Sequence, residues 1–310
     1  MAKVDVVIAA YNAAATIGET IRSALAQPEA ASVVVVDDAS SDETCQVAAA
    51  SDDGTGRLRI LRQERNGGPS RARNRGLADG SAEWFTVLDA DDIMLPGRLA
   101  TLLGHSDDAD LIADDLLVRD ETAQEQRPMF LPPVTQVQTL SAAAFIQGNI
   151  SHGQKSRRDL GFIKPLIRRD LLTRHGLHFD EALWLGEDYE LYTRMLLLGG
   201  RLILVPAAGY VYTIRPTSLS GSHTIEALRM LRDCDIQLGQ IPKLGSAQRK
   251  ALDNHYSSVD SRLQWRLLIE AVKHRNVAAA AKTFSRSLPV TLFLIKMLLE
   301  EAFRRMKPAR

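Results

Sequence analysis

The chain is short of cysteine, of net charge and of long apolar runs, and each shortage removes a class of protein. Two cysteines in 310 residues, Cys45 and Cys234, cannot supply a disulfide framework, and a reducing cytoplasm is the simpler home for them. Lysine and arginine balance aspartate and glutamate at 38 each, so no general nucleic-acid affinity is expected. No apolar run reaches the roughly 18–20 residues that a membrane-crossing helix needs. The first apolar run contains Asp5, which speaks against a secretory leader. There is no internal repeat and no low-complexity tract. With 45% hydrophobic and 25% charged residues, what is left is an ordinary globular composition. The length allows one large α/β domain with an appendage.

The charge balance conceals an uneven distribution. Residues Thr224 to Arg310 hold 16 Lys+Arg against 8 Asp+Glu, a net of +8, and residues 1–223 carry the compensating −8. The acidic part has a focus. Trp84 to Leu88 reads as a short buried strand, and it runs straight into Asp89-Ala90-Asp91-Asp92. Carboxylates this close repel one another and need a cation or hydrogen-bond donors nearby. The acid–x–acid spacing lets two of them reach one hard cation, which in turn could hold phosphate oxygens. The plainer alternative is an acidic turn that caps a helix starting near Pro96.

The rest of the chain favours the first of these. Lys3 to Ala10, Ser32 to Val36, Leu58 to Leu61 and Trp84 to Leu88 read as four strands. Helical spacing separates them at Ala14 to Ala26, from Asp42 to about Ser51, and from Pro69 through Leu77. Such alternation predicts a parallel βαβ sheet, whose ligands sit outside the C-terminal strand ends. That rule brings Ala9 to Asn12, Asp37 to Ser41 and Asp89 to Asp92 to one edge. Further on, a strand is expected around Leu111-Ile112, a loop or lid over the proline-rich Gln124 to Val137, and a strand over Ile163 to Ile167. Helices are expected over Arg169 to His175 and Glu187 to Leu198, followed by strands at Arg201 to Val205 and Tyr210 to Ile214. After Ser222 only helical patterns occur: Ile225 to Leu238, Ala247 to Lys273, Val277 to Phe284, and Pro289 to Met306. The last places Leu292, Ile295, Leu299 and Phe303 on one face among basic residues. That is the pattern of a membrane-surface helix, or of a helix that packs in a bundle or on a second subunit.

Five segments, in order, resemble the family 2 inverting nucleotide-sugar glycosyltransferases of the GT-A fold. They are Val6 to Asn12 (VVIAAYN), Val36 to Asp42 (VDDASSD), Asn66 to Gly76 (NGGPSRARNRG), Leu88 to Asp92 (LDADD) and Gly186 to Tyr192 (GEDYELY). Gly161 to Asp170 (GFIKPLIRRD) and the chain length are similar, more narrowly, to bacterial exopolysaccharide enzymes of the succinoglycan type. The resemblance implies a catalytic domain over residues 1–222 and a basic helical extension over 223–310. It implies transfer of a hexose, glucose in the first place, from a UDP-sugar to a saccharide or polyprenyl-linked acceptor, with Mg²⁺ or Mn²⁺ as cofactor. Asp38 would accept the uracil N–H, with Ala10, Tyr11, Asn12, Asn66, Arg71 and Arg73 lining the nucleotide site. Asp89 and Ala90 would face the ribose, and Asp91, with Asp89, the metal. Asp188 would be the base that takes the acceptor proton, with Glu187 as substitute. Arg215 stands where many relatives carry a histidine. It can replace the charge of that histidine on the diphosphate but not a metal bond, and His223 is the nearby imidazole. Peripheral attachment to the inner face of the cytoplasmic membrane, through residues 289–306, would bring the enzyme to a lipid-linked acceptor.

Two other readings stay open at this point. A haloacid-dehalogenase-type phosphotransferase also ends a strand in Asp-x-Asp, though on its first strand. A non-catalytic nucleotide-sugar-binding module would keep the fold, but it has no use for a base at Asp188.

Overall fold

A computed structural model of the chain describes residues 3–120, 126–150, 159–214 and 224–306. The chain forms two compact units, Met1–Leu219 and Ser220–Arg310. The first opens with β1 (Val4–Ala10), α1 (Ile17–Leu25), β2 (Ala30–Asp37), α2 (Thr44–Ala49), β3 (Leu58–Arg62), α3 (Pro69–Asp79) and β4 (Trp84–Val87). This is the alternation that the sequence predicts. β2 and β4 flank β1 in parallel, and β3 continues in parallel beyond β2. Val6, Val7, Ile8 and Val33 to Val36 are wholly buried, because side chains of the inner strands are covered on both faces. Helix α3 lies so close to this sheet that a Cβ on Gly76 would stand 2.4 Å from Val7 Cγ1.

The chain continues through β5 (Ile93–Met94), α4 (Arg98–Leu103), β6 (Leu111–Asp114), β7 (Leu117–Asp120), β8 (Gln126–Pro128), β9 (Gln138–Leu140) and α5 (Ala142–Gln147). It then forms β10 (Leu166–Arg168), α6 (Arg169–His175), α7 (Glu187–Leu197), β11 (Leu202–Val205) and β12 (Tyr210–Ile214). The main sheet has the order β3-β2-β1-β4-β10-β6-β11-β9. It is mostly parallel, but β10 runs antiparallel to both β4 and β6, and the edge strand β9 antiparallel to β11. A second sheet has the order β5-β12-β7-β8.

Two expectations need correction. Residues 126–128 of the expected proline-rich loop form strand β8 on β7. β8 lies at a sheet edge, where the N–H that Pro128 lacks is not required on the open side. The strand expected over Ile163 to Ile167 begins only at Leu166, since Pro165 has no N–H to pair and Leu160–Phe162 is a 3-10 turn.

The second unit consists of α8 (Ile225–Leu238), α9 (Ser246–Lys273), α10 (Val277–Phe284) and α11 (Leu288–Met306). Thr224 and Asn276 cap α8 and α10 through their side-chain oxygens. Leu268, Val290 and Leu294 form a buried cluster with Trp265, Phe284 and Phe293 packed against it. The opposite side of α11 is open: Leu288, Leu292, Ile295, Leu298, Leu299 and Phe303 are all exposed. Among the described residues no helix is long and apolar enough to cross a membrane.

Candidate active site

The turns after β1 and β2 lock together at the C-terminal edge of the sheet. The Asp38 N–H donates to the Ala10 carbonyl at 2.8 Å. The Asn12 N–H donates to Ser40 Oγ at 2.9 Å, and the Ser41 N–H returns to Asn12 Oδ1 at 2.9 Å. Both turns need left-handed backbone, at Asn12 (φ 50°) and Ala39 (φ 61°), and the cross-bonds hold them there. Tyr11 remains exposed at this edge.

Asp38 is buried and acts on the next turn. Its carboxylate accepts the Gly67 and Gly68 N–H groups, each at 2.8 Å, and Gln63 Nε2 at 2.7 Å. Gly68 has φ 84°, and the Trp184 indole stands about 3.5 Å from where a Cβ would be. Arg71 lies over Gly67, so a side chain there would collide with it. Asn66 is exposed beside this turn. Asp38 thus anchors the glycine turn, and any N–H of a bound base must share a carboxylate that already accepts three.

The acidic turn after β4 is fixed from two sides. The Ala90 carbonyl accepts the Thr16 and Thr20 hydroxyls of the α1 region at 2.9 and 3.1 Å. Tyr210 of β12 accepts the Asp89 N–H at 3.2 Å and donates its hydroxyl to Asp92 at 2.8 Å, while the Thr213 N–H reaches Asp92 at 2.9 Å. Asp92 therefore caps no helix: α4 starts at Arg98 after Gly97, with no side-chain cap. Burial, and then the neighbouring Asp89 and Asp91, push the Asp92 carboxyl well above the usual range, against the hydrogen bonds from Thr213 and Tyr210, which favour its charged form.

Deeper in the site, three carboxylates meet two cations. Arg73, on the buried side of α3, reaches Glu187 Oε1 at 2.7 Å, Asp188 Oδ1 at 3.2 Å and Asp89 Oδ1 at 3.0 Å. Lys164, just before β10, reaches Asp188 Oδ2 at 2.7 Å and Asp89 Oδ2 at 3.1 Å. Glu187 and Asp188 open α7 after Gly186, whose φ of 79° turns the chain into the helix. Burial opposes charge on Asp89, but Lys164 and Arg73 outweigh it and hold the carboxyl down at about 2. Burial likewise works against charge on Lys164 and Arg73, and their carboxylates keep both protonated.

The structure therefore brings Asp89, Arg73, Glu187 and Asp188 together. It sets Ala10, Tyr11, Asn12, Asp38, Asn66 and Arg71 along the neighbouring turns. Arg73, expected to face a nucleotide, has its guanidinium on carboxylates instead. Arg215 and His223 lie outside the described residues. Sequence reasoning missed Lys164 and Tyr210. Lys164 did leave a trace: a lone cation between Ile163 and Pro165-Leu166-Ile167 is a charge set in an apolar run, and buried charge needs partners.

With this geometry in view, the relatives are informative. The Succinoglycan biosynthesis protein ExoU of Rhizobium meliloti (strain 1021) is 39% identical over 313 residues, spanning 99% of this chain and 90% of the relative. ExoO of the same organism, also a succinoglycan biosynthesis protein, is 35% identical over 283 residues, spanning 90% and 80%. Among solved structures, S. aureus TarS 1-349 in complex with UDP superposes with a TM-score of 0.64 at 17% identity, covering 99% of this chain and 93% of that one. The mannosyltransferase PcManGT from Pyrobaculum calidifontis, in complex with GDP-Man and Mn²⁺, gives 0.62 at 20% identity, covering 99% and 81%. The fold is thus the GT-A fold that the resemblance implied. The pattern described as Glycosyl transferase family 2 matches residues 5–159, and with these relatives it establishes that the chain is a glycosyltransferase belonging to family 2.

Proposed function

We propose that the chain is an inverting enzyme that moves a hexose from a UDP-sugar to a hydroxyl of a saccharide or polyprenyl-linked acceptor, in exopolysaccharide synthesis of the succinoglycan kind. The observation that carries this reading is the meeting of Asp89, at the end of β4, with Asp188, at the start of α7, on the same two cations. One carboxylate belongs to the edge where donors bind in parallel sheets, and the other opens a helix facing it. The names of the two relatives, both succinoglycan biosynthesis proteins, support the pathway. UDP and UDP-GlcNAc in the TarS complexes support a uridine donor.

In the proposed reaction Asp188 takes the proton of the acceptor hydroxyl as that oxygen bonds to the anomeric carbon. The bond from that carbon to the diphosphate breaks on the opposite face, and UDP departs with the electron pair. Asp38 and the glycine turn hold the nucleotide, and Asp89 takes the ribose side.

The donor set bears on the expected metal. The metal is assigned to Asp91, half-buried in the acidic turn, with Asp89 two residues before it. A single carboxylate, completed by diphosphate oxygens and water, is a usual shell for Mg²⁺ and suits the hard oxygen chemistry of Mn²⁺. Among the described residues no group of three or more His, Cys, Asp and Glu side chains could hold a metal ion. When bound, such an ion neutralises charge on the departing diphosphate.

The exposed apolar face of α11 and the surplus of +8 over residues 224–310 support a reversible contact with an anionic bilayer, where a lipid-linked acceptor resides. Each basic residue near such a surface contributes on the order of 1 kcal/mol.

The experiment is a screen of UDP-sugars with saccharide and polyprenyl-linked acceptors, read as UDP release with Mn²⁺ or Mg²⁺ and then with EDTA. Metal-dependent transfer from one UDP-sugar is the expected result. Binding of UDP-sugar without any turnover would favour the non-catalytic module. The phosphotransferase alternative falls with the family assignment.

A further inference from the structure

Arg73, Asp188, Lys164 and Asp89 form a closed ring of alternating charge. Each cation touches both carboxylates, and each carboxylate gives one oxygen to Arg73 and the other to Lys164. The two cations are not equivalent. Arg73 has a third acceptor in Glu187, whereas among the described residues the Lys164 ammonium holds the two ring members alone. The Lys164 backbone is itself clamped: its carbonyl accepts Arg98 Nη2 at 2.6 Å, and Arg98 is bound to the buried Asp114 at 2.8 Å. The four-carbon side chain is buried along its length, and its two ion pairs fix where the charge sits. A carboxylate oxygen has about two acceptor directions. The ring uses one on each oxygen and leaves another on each for a substrate hydroxyl.

We propose that Lys164 is a positioning residue that fixes the Asp188 carboxylate for proton transfer and ties it to the donor-side carboxylate of Asp89. This rests on the reading of Asp188 as the acceptor base. Without Lys164, Asp188 keeps, among the described residues, a hold on one oxygen, by an arginine already shared with Glu187 and Asp89. A carboxylate so held can turn about its own axis, and its accepting lone pair no longer stays aimed at one point. Misplacement on the scale of 1 Å lowers rates by about 10²-fold. The loss therefore falls on turnover, with a smaller effect on donor affinity through Asp89.

The test compares Lys164→Met, Lys164→Arg, Asp188→Asn and the double variant Lys164→Met/Asp188→Asn. It reads kcat and donor KM from UDP release, to saccharide acceptor or to water, with UDP-glucose as probe, alongside thermal melting. Lys164→Met is expected to lower kcat by about 10²-fold, with donor KM far less changed, and Lys164→Arg to restore most of the loss. In the Asp188→Asn background, Lys164→Met should cost almost nothing further, as residues acting through one another are not additive. An equal fold-loss in both backgrounds, or wild-type kcat in Lys164→Met, overturns the proposal while the base reading stands. Wild-type kcat in Asp188→Asn overturns the base reading and this proposal with it. If Lys164→Met fails to fold, the double variant, which removes one charge of each sign, carries the comparison. A double variant much slower than Asp188→Asn then overturns the positioning role.

Discussion

The Tyr210 hydroxyl joins two acids of one turn: it donates to Asp92 at 2.8 Å and accepts the N–H of Asp89 at 3.2 Å. A residue of β12 thereby sets the backbone from which the first acid of the Asp-x-Asp motif projects. Replacing Tyr210 by Phe leaves Asp92 buried and short of a donor, a loss of about 1–3 kcal/mol. The expected outcome is a lower denaturation midpoint and reduced turnover at saturating donor. Unchanged turnover in a destabilised but folded variant would show that the turn keeps its shape without the hydroxyl.

Asp188→Asn keeps the outline of the side chain and removes the proton acceptor. Turnover should fall by about 10²–10⁴-fold, the usual contribution of a general base, while UDP affinity measured by calorimetry stays near that of the parent. Should turnover persist, Glu187, on the same helix end and 2.7 Å from Arg73, becomes the base to test.

Asp91→Ala separates the metal from the nucleotide. Titration of UDP with and without Mn²⁺ should show a metal-dependent gain in affinity for the parent and none for the variant. A variant that retains the gain would move the ion elsewhere in the site.

Gly76→Ala is expected to act on stability alone. The added methyl group would meet Val7 Cγ1 at 2.4 Å and Val36 Cγ2 at 3.3 Å, both in the buried sheet. Overpacking of this kind typically costs about 1–3 kcal/mol, to be read as a lower urea midpoint. An unchanged midpoint would mean that α3 lifts from β1 at no cost.

Substituting Leu292, Leu299 and Phe303 together by serine tests the bilayer contact. The parent should float with anionic vesicles at low salt and the triple variant should stay in the dense fraction, with both folded by circular dichroism. Equal flotation, or none by either protein, would leave the exposed face of α11 to a second subunit.

Much of this molecule can be read from the chain, and what escapes has a physical cause. β1 and β2 announce themselves because strands covered on both faces are nearly continuous runs of apolar, mainly valine, residues. The Arg169–His175 and Glu187–Leu197 helices carry clear spacing, and each has a left-handed glycine at one end, Gly176 and Gly186. The inward aim of Arg73 was also accessible, since it lies three residues before Gly76 on the face of α3 that meets the sheet. Lys164 shows in the sequence as a lone charge in an apolar run but without its partners, and Tyr210 does not show at all, because its role exists across a long separation. Tyr210 and Asp92 stand 118 residues apart, and no periodicity encodes such a pair. β8 was lost to its proline content, which marks a loop and a sheet edge equally well.

The reversed strand β10 also governs the order in which the protein can come alive during synthesis. Strands β1 to β4 are contiguous in the chain and can pair among themselves as soon as they emerge. Asp89 and Arg73, only 16 residues apart, belong to that early piece. Lys164 comes later, on the segment that leads into β10, and Asp188 later again, 115 residues after Arg73. A nascent chain halted before β10 therefore has its nucleotide-side turns but half of its charge ring. The pairing of Asp188 with Arg73 and Lys164 is among the last features that the first unit acquires on the ribosome.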